Sequence, residues 1–290
     1  MSNRVCKAVI PASGRGTRLL PITRVVPKEM LPVVDKPLIQ YAVEEALASG
    51  IEHIILVTRG AGSAVQSYFE GGEWQASLED RCNLDSMAGG RHSSATVQIS
   101  YVPQSAPLGL GHAVLCAREM VGDEPFAVLL SDILIDAEVP CLRQMIAVFN
   151  ERGGSVVATQ TVEGAGISAY GVLAGSQDAV NKRIYSCTGM VEKPKFEEAP
   201  SKQAIIGRYV LTPRIFELLE KTRPGAMGEI QLTDGIKALL KEEKVFGYTF
   251  EGRRFDAGDK TGMLQATVEF ALKRPDLGPK FREFLEGINL

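Results

Sequence analysis

Residues 9–32 read VIPASGRGTRLLPITRVVPKEMLP. The apolar run that leads into them, Val5-Cys6-Lys7-Ala8-Val9-Ile10, has the character of a buried strand. Beyond Ile10 the pattern is neither helix nor strand: Gly14, Gly16, Arg18 and Lys28 stand among four prolines. Glycines let a backbone approach a ligand closely and leave N–H groups free to point at oxyanions. Arg18 adds a forked cation suited to phosphate, and Lys28 adds a point charge. At the carboxyl end of a first strand, such a loop is a candidate cradle for a polyphosphate. The glycine pair alone fits equally well a tight strand-to-loop turn with surface cations. A dinucleotide fingerprint is excluded, because Leu19 stands where its third glycine belongs, and no P-loop Gly-Lys-Ser/Thr is present.

Outward from this loop the chain alternates strand and helix patterns. Leu38 to Ser49 has Ile39, Val43, Ala46 and Leu47 on one helical face and Gly50 as a stop. His53 to Thr58 reads as a second buried strand, Ala64 to Phe69 as a helix, and Val97 to Val102 as a third strand. Glu70 to Ala95 loses apolar periodicity, carries the only tryptophan, Trp74, and reads as an excursion from the core and a candidate subunit contact. Ala113 to Met120 reads as helix, Pro125 to Leu130 as the most apolar strand, Pro140 to Phe149 as helix, and Ser155 to Val162 as strand. From about Gly164 to Gln203 helical spacing gives way to short extended pieces. Helices over Pro213 to Lys221, within GEIQLTDGIKALLKEE and over Thr261 to Leu272 close the chain, with Val245 to Phe250 as a last strand. This is an α/β pattern. The absence of a Gly/Ser or Pro-rich linker gives one domain over 1–290.

Bulk properties narrow the function. The chain has 290 residues, 45% hydrophobic and 23% charged, with a net charge of −3. That balance argues against nucleic-acid binding through a broad basic surface. An anionic substrate must be met by a local cluster of cations. The five cysteines are scattered without C-x-x-C spacing and the three histidines lie far apart, so neither a zinc site nor a disulfide framework is expected. Cys6, Cys116 and Cys141 sit in apolar contexts and read as buried small hydrophobes, consistent with a cytoplasmic protein. No apolar run suggests a signal peptide or a membrane span.

Four further stretches are candidates for chemistry. Gln104, in PQSAPLGLGHAV, both donates and accepts and suits the edge of a uracil or thymine ring; its alternative is a solvated loop residue. Asp132 comes directly after the PFAVLL strand and Ser131, where open α/β sheets bind ligands, and a hard oxygen there suits Mg²⁺. Its alternative is an Asp that merely starts a turn. Glu192-Lys193-Pro194 taken alone is a solvated surface turn. RFDAGD reads as an acid-and-glycine turn, in which Asp256 or Asp259 is a candidate helix cap for Thr261 to Leu272.

The strings G-x-G-T-R-x-x-P, P-K-E-M-L-P-V-V-D-K-P and Q-x-x-P-L-G-L-G-H-A together resemble the nucleotidyltransferases that make nucleotide sugars, and within them the bacterial UTP–glucose-1-phosphate uridylyltransferases. The resemblance implies a Rossmann-like mixed, mostly parallel sheet flanked by helices, a GT-A-like nucleotidyltransferase fold. It implies a nucleotide half at about 1–160, a sugar-phosphate half at about 161–260 and C-terminal helices at about 261–290. The substrates would be UTP and glucose 1-phosphate, the products UDP-glucose and diphosphate, the cofactor Mg²⁺, and the assembly a homodimer or homotetramer. Ala12, Ser13, Gly14, Gly16 and Thr17 would hold the triphosphate, and Gln104 and Gly109 the pyrimidine. Arg18, Lys28, Asp132 and Lys193 would be catalytic. Gly171, Glu192, Lys193 and Ile205 would bind the sugar, and Asp132 with Asp256 the metal. Ser131 is a departure, since the family usually has Pro or Gly before this aspartate. The nearest alternative function is a thymidylyltransferase or other nucleotide-sugar pyrophosphorylase; a more distant one is a non-catalytic regulatory paralogue.

Overall fold

The computed structural model describes residues 4–71, 74, 97–225 and 228–288. Its elements run β1 (Lys7–Pro11), the short hairpin β2 (Pro32–Val33) and β3 (Lys36–Pro37), α1 (Leu38–Ala48), β4 (His53–Thr58), α2 (Ala64–Glu70), β5 (Gln98–Pro103), α3 (Leu110–Cys116) and α4 (Arg118–Val121). They continue with β6 (Phe126–Leu129), β7 (Ile133–Asp136), α5 (Cys141–Arg152), β8 (Ser155–Thr161), β9 (Gly171–Gln177), β10 (Ile184–Glu192) and β11 (Gln203–Leu211). The chain ends in α6 (Arg214–Lys221), α7 (Leu232–Leu239), β12 (Val245–Thr249), β13 (Arg253–Asp256), α8 (Lys260–Lys273) and α9 (Gly278–Glu286).

Nine strands form one mixed sheet in the order β5-β4-β1-β6-β11-β8-β12-β10-β9. The first four are parallel to one another, β11 runs antiparallel to both β6 and β8, and β12 returns parallel to β8 before the antiparallel β10 and β9. Helices cover both faces, so strand residues are buried on both sides and read as continuous apolar runs. The period-two alternation is visible in the packing. Ala8, Ile10, Ile54 and Leu56 join α1, α2 and α5 on one face, while Val9, Ile55 and Val57 join α3, α4, α6 and α7 on the other. A third core under the Pro-rich loop gathers Leu19, Leu31, Val33, Leu134, Phe255 and Ala266. It anchors residues 17–33, whose regular structure is three single turns of 3₁₀ helix and the strand β2.

Several expectations change. The helix read from Ala113 begins at Leu110 and is broken at Ala117 into α3 and α4. The helix read within GEIQLTDGIKALLKEE forms over Leu232–Leu239, because Ile230 is drawn off to exchange main-chain hydrogen bonds with Leu108 and Gly111. Arg254 to Asp256 lies in β13, which pairs antiparallel with β7, and the turn follows only at Ala257. Cys141 is buried as expected, but Cys6 and Cys116 are only half-buried. Most of Glu70 to Ala95 lies outside the described residues. Trp74 itself packs inward, edge-on to Phe69 with ring centroids 4.8 Å apart.

Candidate active site

The Gly-rich turn is held from behind. Ala12 N–H donates to Val57 O at 2.7 Å, which spends that donor on the sheet. Arg59 Nε and Nη2 donate to the carbonyls of Ser13 and Gly14 at 3.1 and 2.7 Å, and Thr23 Oγ1 donates to Gly16 O at 2.8 Å. With three carbonyls engaged, the N–H groups of the turn are the polarity left for an anion. Gly16 has φ 62°, and a β-carbon there would meet Lys28 Cβ and Thr23 Cγ2 at 3.0 Å, so only glycine fits. The turn lines a cleft of about 750 Å³ together with Lys28, Gln104, Gly109 and Asp132.

Gln104 is not a solvated loop residue: it is 5% exposed. Its Oε1 accepts from Ser13 Oγ, and its Nε2 donates to Gly109 O at 3.2 Å and to His112 Nδ1 at 2.9 Å. Gly109 has φ 101°, and a β-carbon would lie 2.8 Å from Ile230 O. The backbone is therefore brought close here by the segment before α7.

Asp132 lies just past β6 and is 8% exposed. Lys28 Nζ is 2.7 Å from Asp132 Oδ2; Arg18 Nη2 is 4.0 Å from the same oxygen, and Arg18 Nη1 is 3.4 Å from Asp256 Oδ2. Burial penalises the charge of Asp132, but the Lys28 ammonium and then Arg18 outweigh it and hold the carboxyl below its ordinary value. Burial likewise penalises Lys28, and the Asp132 and Glu29 carboxylates outweigh it, so its proton is held above the usual lysine range. The aspartates are brought together by the β7–β13 ribbon, with Ala257 N–H donating to Asp132 O at 2.8 Å. A β-carbon on Gly258 would fall 2.8 Å from Asp132 Oδ2, 3.0 Å from Asp256 Oδ1 and 2.5 Å from Arg18 Nη2. Two carboxylate oxygens thus converge on one small cradle. Among the described residues no group of three or more His, Cys, Asp or Glu could close round an ion by itself. A two-carboxylate cradle fits Mg²⁺, which takes its remaining ligands from water and phosphate. Asp259 instead caps α8, accepting from Gly262 N–H at 2.9 Å.

Beneath Asp132 lies Arg208, 1% exposed. Its Nη1 donates to Leu130 O and Gly207 O at 2.9 and 3.0 Å, its Nη2 to Ile133 O at 2.7 Å and Glu45 Oε2 at 2.8 Å, and its Nε to both Glu45 oxygens at 3.1 Å. A fully buried guanidinium is tolerable only when paired and satisfied in this way. Because Leu130 and Ile133 flank Ser131-Asp132, the clamp fixes both ends of the segment that presents the acid.

A second cleft, about 420 Å³, adjoins the first; Leu110, Leu130 and Asp132 line both. It is lined also by Gly171, Glu192, Lys193 and Ile205. Glu192 Oε2 accepts from Thr233 Oγ1 at 2.7 Å, and a β-carbon on Gly171 would stand 3.0 Å from that same oxygen. Lys193 is exposed and has φ 45°, a conformation uncommon for a side-chain-bearing residue, with its N–H donating to Tyr170 O at 3.0 Å. Arg254 joins this wall, both Nη atoms 3.0 Å from Tyr170 Oη and the guanidinium 5.0 Å from the ring centre. Ala12 lies beneath the turn and lines neither cleft; every other residue expected at the site lines one or both. Sequence reasoning missed Arg59, Arg208, Thr233 and Arg254. Only Arg254 carried a signal, its place beside the Asp-Ala-Gly-Asp run.

A family model described as nucleotidyl transferase matches residues 7–272. The chain belongs to the nucleotidyl transferase family. This nucleotidyl transferase is 44% identical over 288 residues to the UTP–glucose-1-phosphate uridylyltransferase of Bacillus subtilis strain 168, covering 98% of this chain and 97% of that one. It superposes with TM-score 0.83 and 40% identity on a crystal structure of UDP-glucose pyrophosphorylase complexed with UDP-glucose, over 93% of this chain and all of the other. A UTP-bound UDP-glucose pyrophosphorylase from Acinetobacter baumannii gives TM-score 0.84 and 37% identity, over 99% and 100%. The mixed sheet of this nucleotidyl transferase is thus that of its relatives.

Proposed function

We infer that this nucleotidyl transferase is a UTP–glucose-1-phosphate uridylyltransferase, converting UTP and α-D-glucose 1-phosphate to UDP-glucose and diphosphate. The observation that carries this reading is the position of Asp132, with Lys28 and Arg18 on it, in the wall common to two clefts. Two polyanions must meet, and this is where cations and acids converge. The full-length likeness to uridylyltransferases supports the same substrates.

In the mechanism, an oxygen of the sugar phosphate attacks the α-phosphorus in line, a new P–O bond forms, and the bond to the β-phosphate breaks to release diphosphate. No covalent enzyme intermediate is required; positioning and electrostatics suffice. The N–H groups from Gly14 to Thr17, with Ser13, hold the triphosphate. Arg18 stabilises the departing diphosphate, and Lys28 offsets charge growing at the α-phosphorus. Lys193 grips the sugar phosphate, joined in our reading by Arg254. Gly171 meets the sugar through its backbone, Glu192 accepts from the hydroxyls, and Ile205 packs against the ring. Gln104 and Gly109 read the pyrimidine. Asp132 and Asp256 would hold Mg²⁺, which when bound neutralises phosphate oxygens.

The nucleotide half corresponds to about 1–160 and the sugar half to about 161–260, with the helices at about 261–290 outside both. We place the protein in the cytoplasm as a homodimer or homotetramer. Free thiols at Cys6, Cys116, Cys141 and Cys187 suit that compartment, and no helix among the described residues is long and apolar enough to cross a membrane. Diphosphate release from UTP, dTTP, ATP, CTP and GTP with glucose 1-phosphate tests the reading. UTP should give the highest kcat/KM; a preference for dTTP would make it a thymidylyltransferase, and no release with any of them would make it non-catalytic.

A further inference from the structure

Gln104 has four hydrogen-bonding capacities, two N–H and two carbonyl lone pairs. Three are occupied within the protein. Gly109 O can only accept, so the atom 3.2 Å from it is the amide nitrogen, which settles the orientation of the carboxamide. The same nitrogen lies 2.9 Å from His112 Nδ1, so that ring atom must accept, and the proton of the neutral imidazole sits on Nε2. Ser13 Oγ donates to Oε1. What remains is one lone pair of Oε1, on a residue that is 5% exposed and lines the larger cleft. His112 itself lines neither cleft, and its other close polar neighbour is Cys116 Sγ, 3.8 Å from Nδ1.

We propose that His112 is a specificity-determining positioning residue: by accepting from Gln104 Nε2, it holds the amide so that the pyrimidine meets an acceptor and not a donor. An acceptor at that point selects a base carrying N3–H. Uracil and thymine carry it; cytosine presents a lone pair at N3 and is repelled. Selection against cytosine is therefore set one residue away from the ligand. Selection between uracil and thymine is left to the space around C5. This assignment rests on the reading that Gln104 faces the base.

The test measures diphosphate release from UTP, dTTP and CTP at saturating glucose 1-phosphate for wild type, His112→Phe, His112→Asn and Gln104→Leu. His112→Phe keeps a ring but no acceptor, leaves Gln104 Nε2 held by Gly109 O alone at 3.2 Å, and so loosens the amide. It should lower the UTP:CTP ratio of kcat/KM by about tenfold, mostly through KM for UTP, the scale of one aligned buried hydrogen bond. The UTP:dTTP ratio should hold within about twofold, because both bases carry N3–H. His112→Asn restores an acceptor near the Nδ1 position and should recover most of the UTP:CTP ratio. A wild-type UTP:CTP ratio in His112→Phe, or an equal loss on all three nucleotides, would overturn the assignment, the latter reducing His112 to a packing role. If Gln104→Leu keeps the wild-type preference, the underlying reading of Gln104 fails, and this assignment falls with it for that separate reason.

Discussion

The two clefts that meet at Asp132 are built by different means. The larger one is made chiefly of backbone. A turn of small residues, pinned by Arg59 and Thr23, offers N–H groups, and Gly109 lets a second stretch of main chain come close. The smaller one is made chiefly of side chains carried on antiparallel strands and on α7: Glu192 set by Thr233, and Arg254 stacked on Tyr170. Phosphates can be held by N–H groups that any residue supplies, provided the backbone has the right curvature. Hydroxyls at fixed stereocentres need acceptors at fixed points, and only side chains of particular length reach them.

The largest expected effect falls on the floor common to both. Arg208→Met removes one partner of a buried ion pair and should cost about 3–5 kcal/mol of stability, measured by chemical denaturation. The double variant Arg208→Met with Glu45→Met should regain much of that stability. If it also regained full turnover, the clamp would be structural support only, with no part in aiming Asp132.

Next comes the shared wall. Asp132→Ala should lower turnover by roughly 10²–10³ while the protein remains folded by circular dichroism. Because the residue faces both clefts, the apparent affinities for UTP and for glucose 1-phosphate should both suffer. A loss confined to one substrate would place the acid in one cleft alone.

A smaller and one-sided effect separates the clefts. Glu192→Gln keeps the shape but weakens the acceptor for sugar hydroxyls, and should raise KM for glucose 1-phosphate by about tenfold with little change for UTP. Equal changes for both substrates would erase the distinction between backbone-built and side-chain-built walls.

The smallest effect concerns Glu29, under the Gly14–Gly16 turn. It is 1% exposed, and neither carboxylate oxygen finds a hydrogen-bond partner among the described residues. Burial raises its pKa, and the neighbouring Lys28 lowers it only in part. A carboxyl raised on folding favours the native state below its unfolded value and loses that contribution as pH climbs through its folded value. Relative to Glu29→Gln, the wild type should therefore gain thermal stability as pH falls from neutral towards the ordinary glutamate range. A difference in Tm that does not vary with pH would show that Glu29 titrates normally.

How much of this could be read beforehand depended on distance along the chain. Lys28, Arg18 and the Gly14–Gly16 turn belong to one contiguous stretch, so their residue types marked it as a candidate phosphate cradle before any folding was considered. Asp132 was legible because it ends an unmistakable buried strand. The β7–β13 ribbon was not legible, since four-residue strands so far apart in the chain have no local period to betray them. Arg208 is a lone charge in the otherwise apolar end of β11. Its meaning depends on Glu45, 163 residues earlier, and on carbonyls that only the folded loop brings near. Gln104 shows both sides: its residue type pointed to a pyrimidine, but which face of the amide is offered is fixed by Ser13, Gly109 and His112.

By itself, then, the sequence determined the alternation of strand and helix, the glycine turn with its cations and the acid at the strand's end, because each is written in neighbouring residues through hydrophobic period and backbone freedom. Only the tertiary structure decided that Asp132 borders two clefts, that Arg208 and Glu45 hold it from beneath, and that Glu192 is set by Thr233. Those facts are pairings between groups far apart in the chain. Their hydrogen bonds and ion pairs acquire distance, and so energy, only once nine strands have taken their order in one sheet.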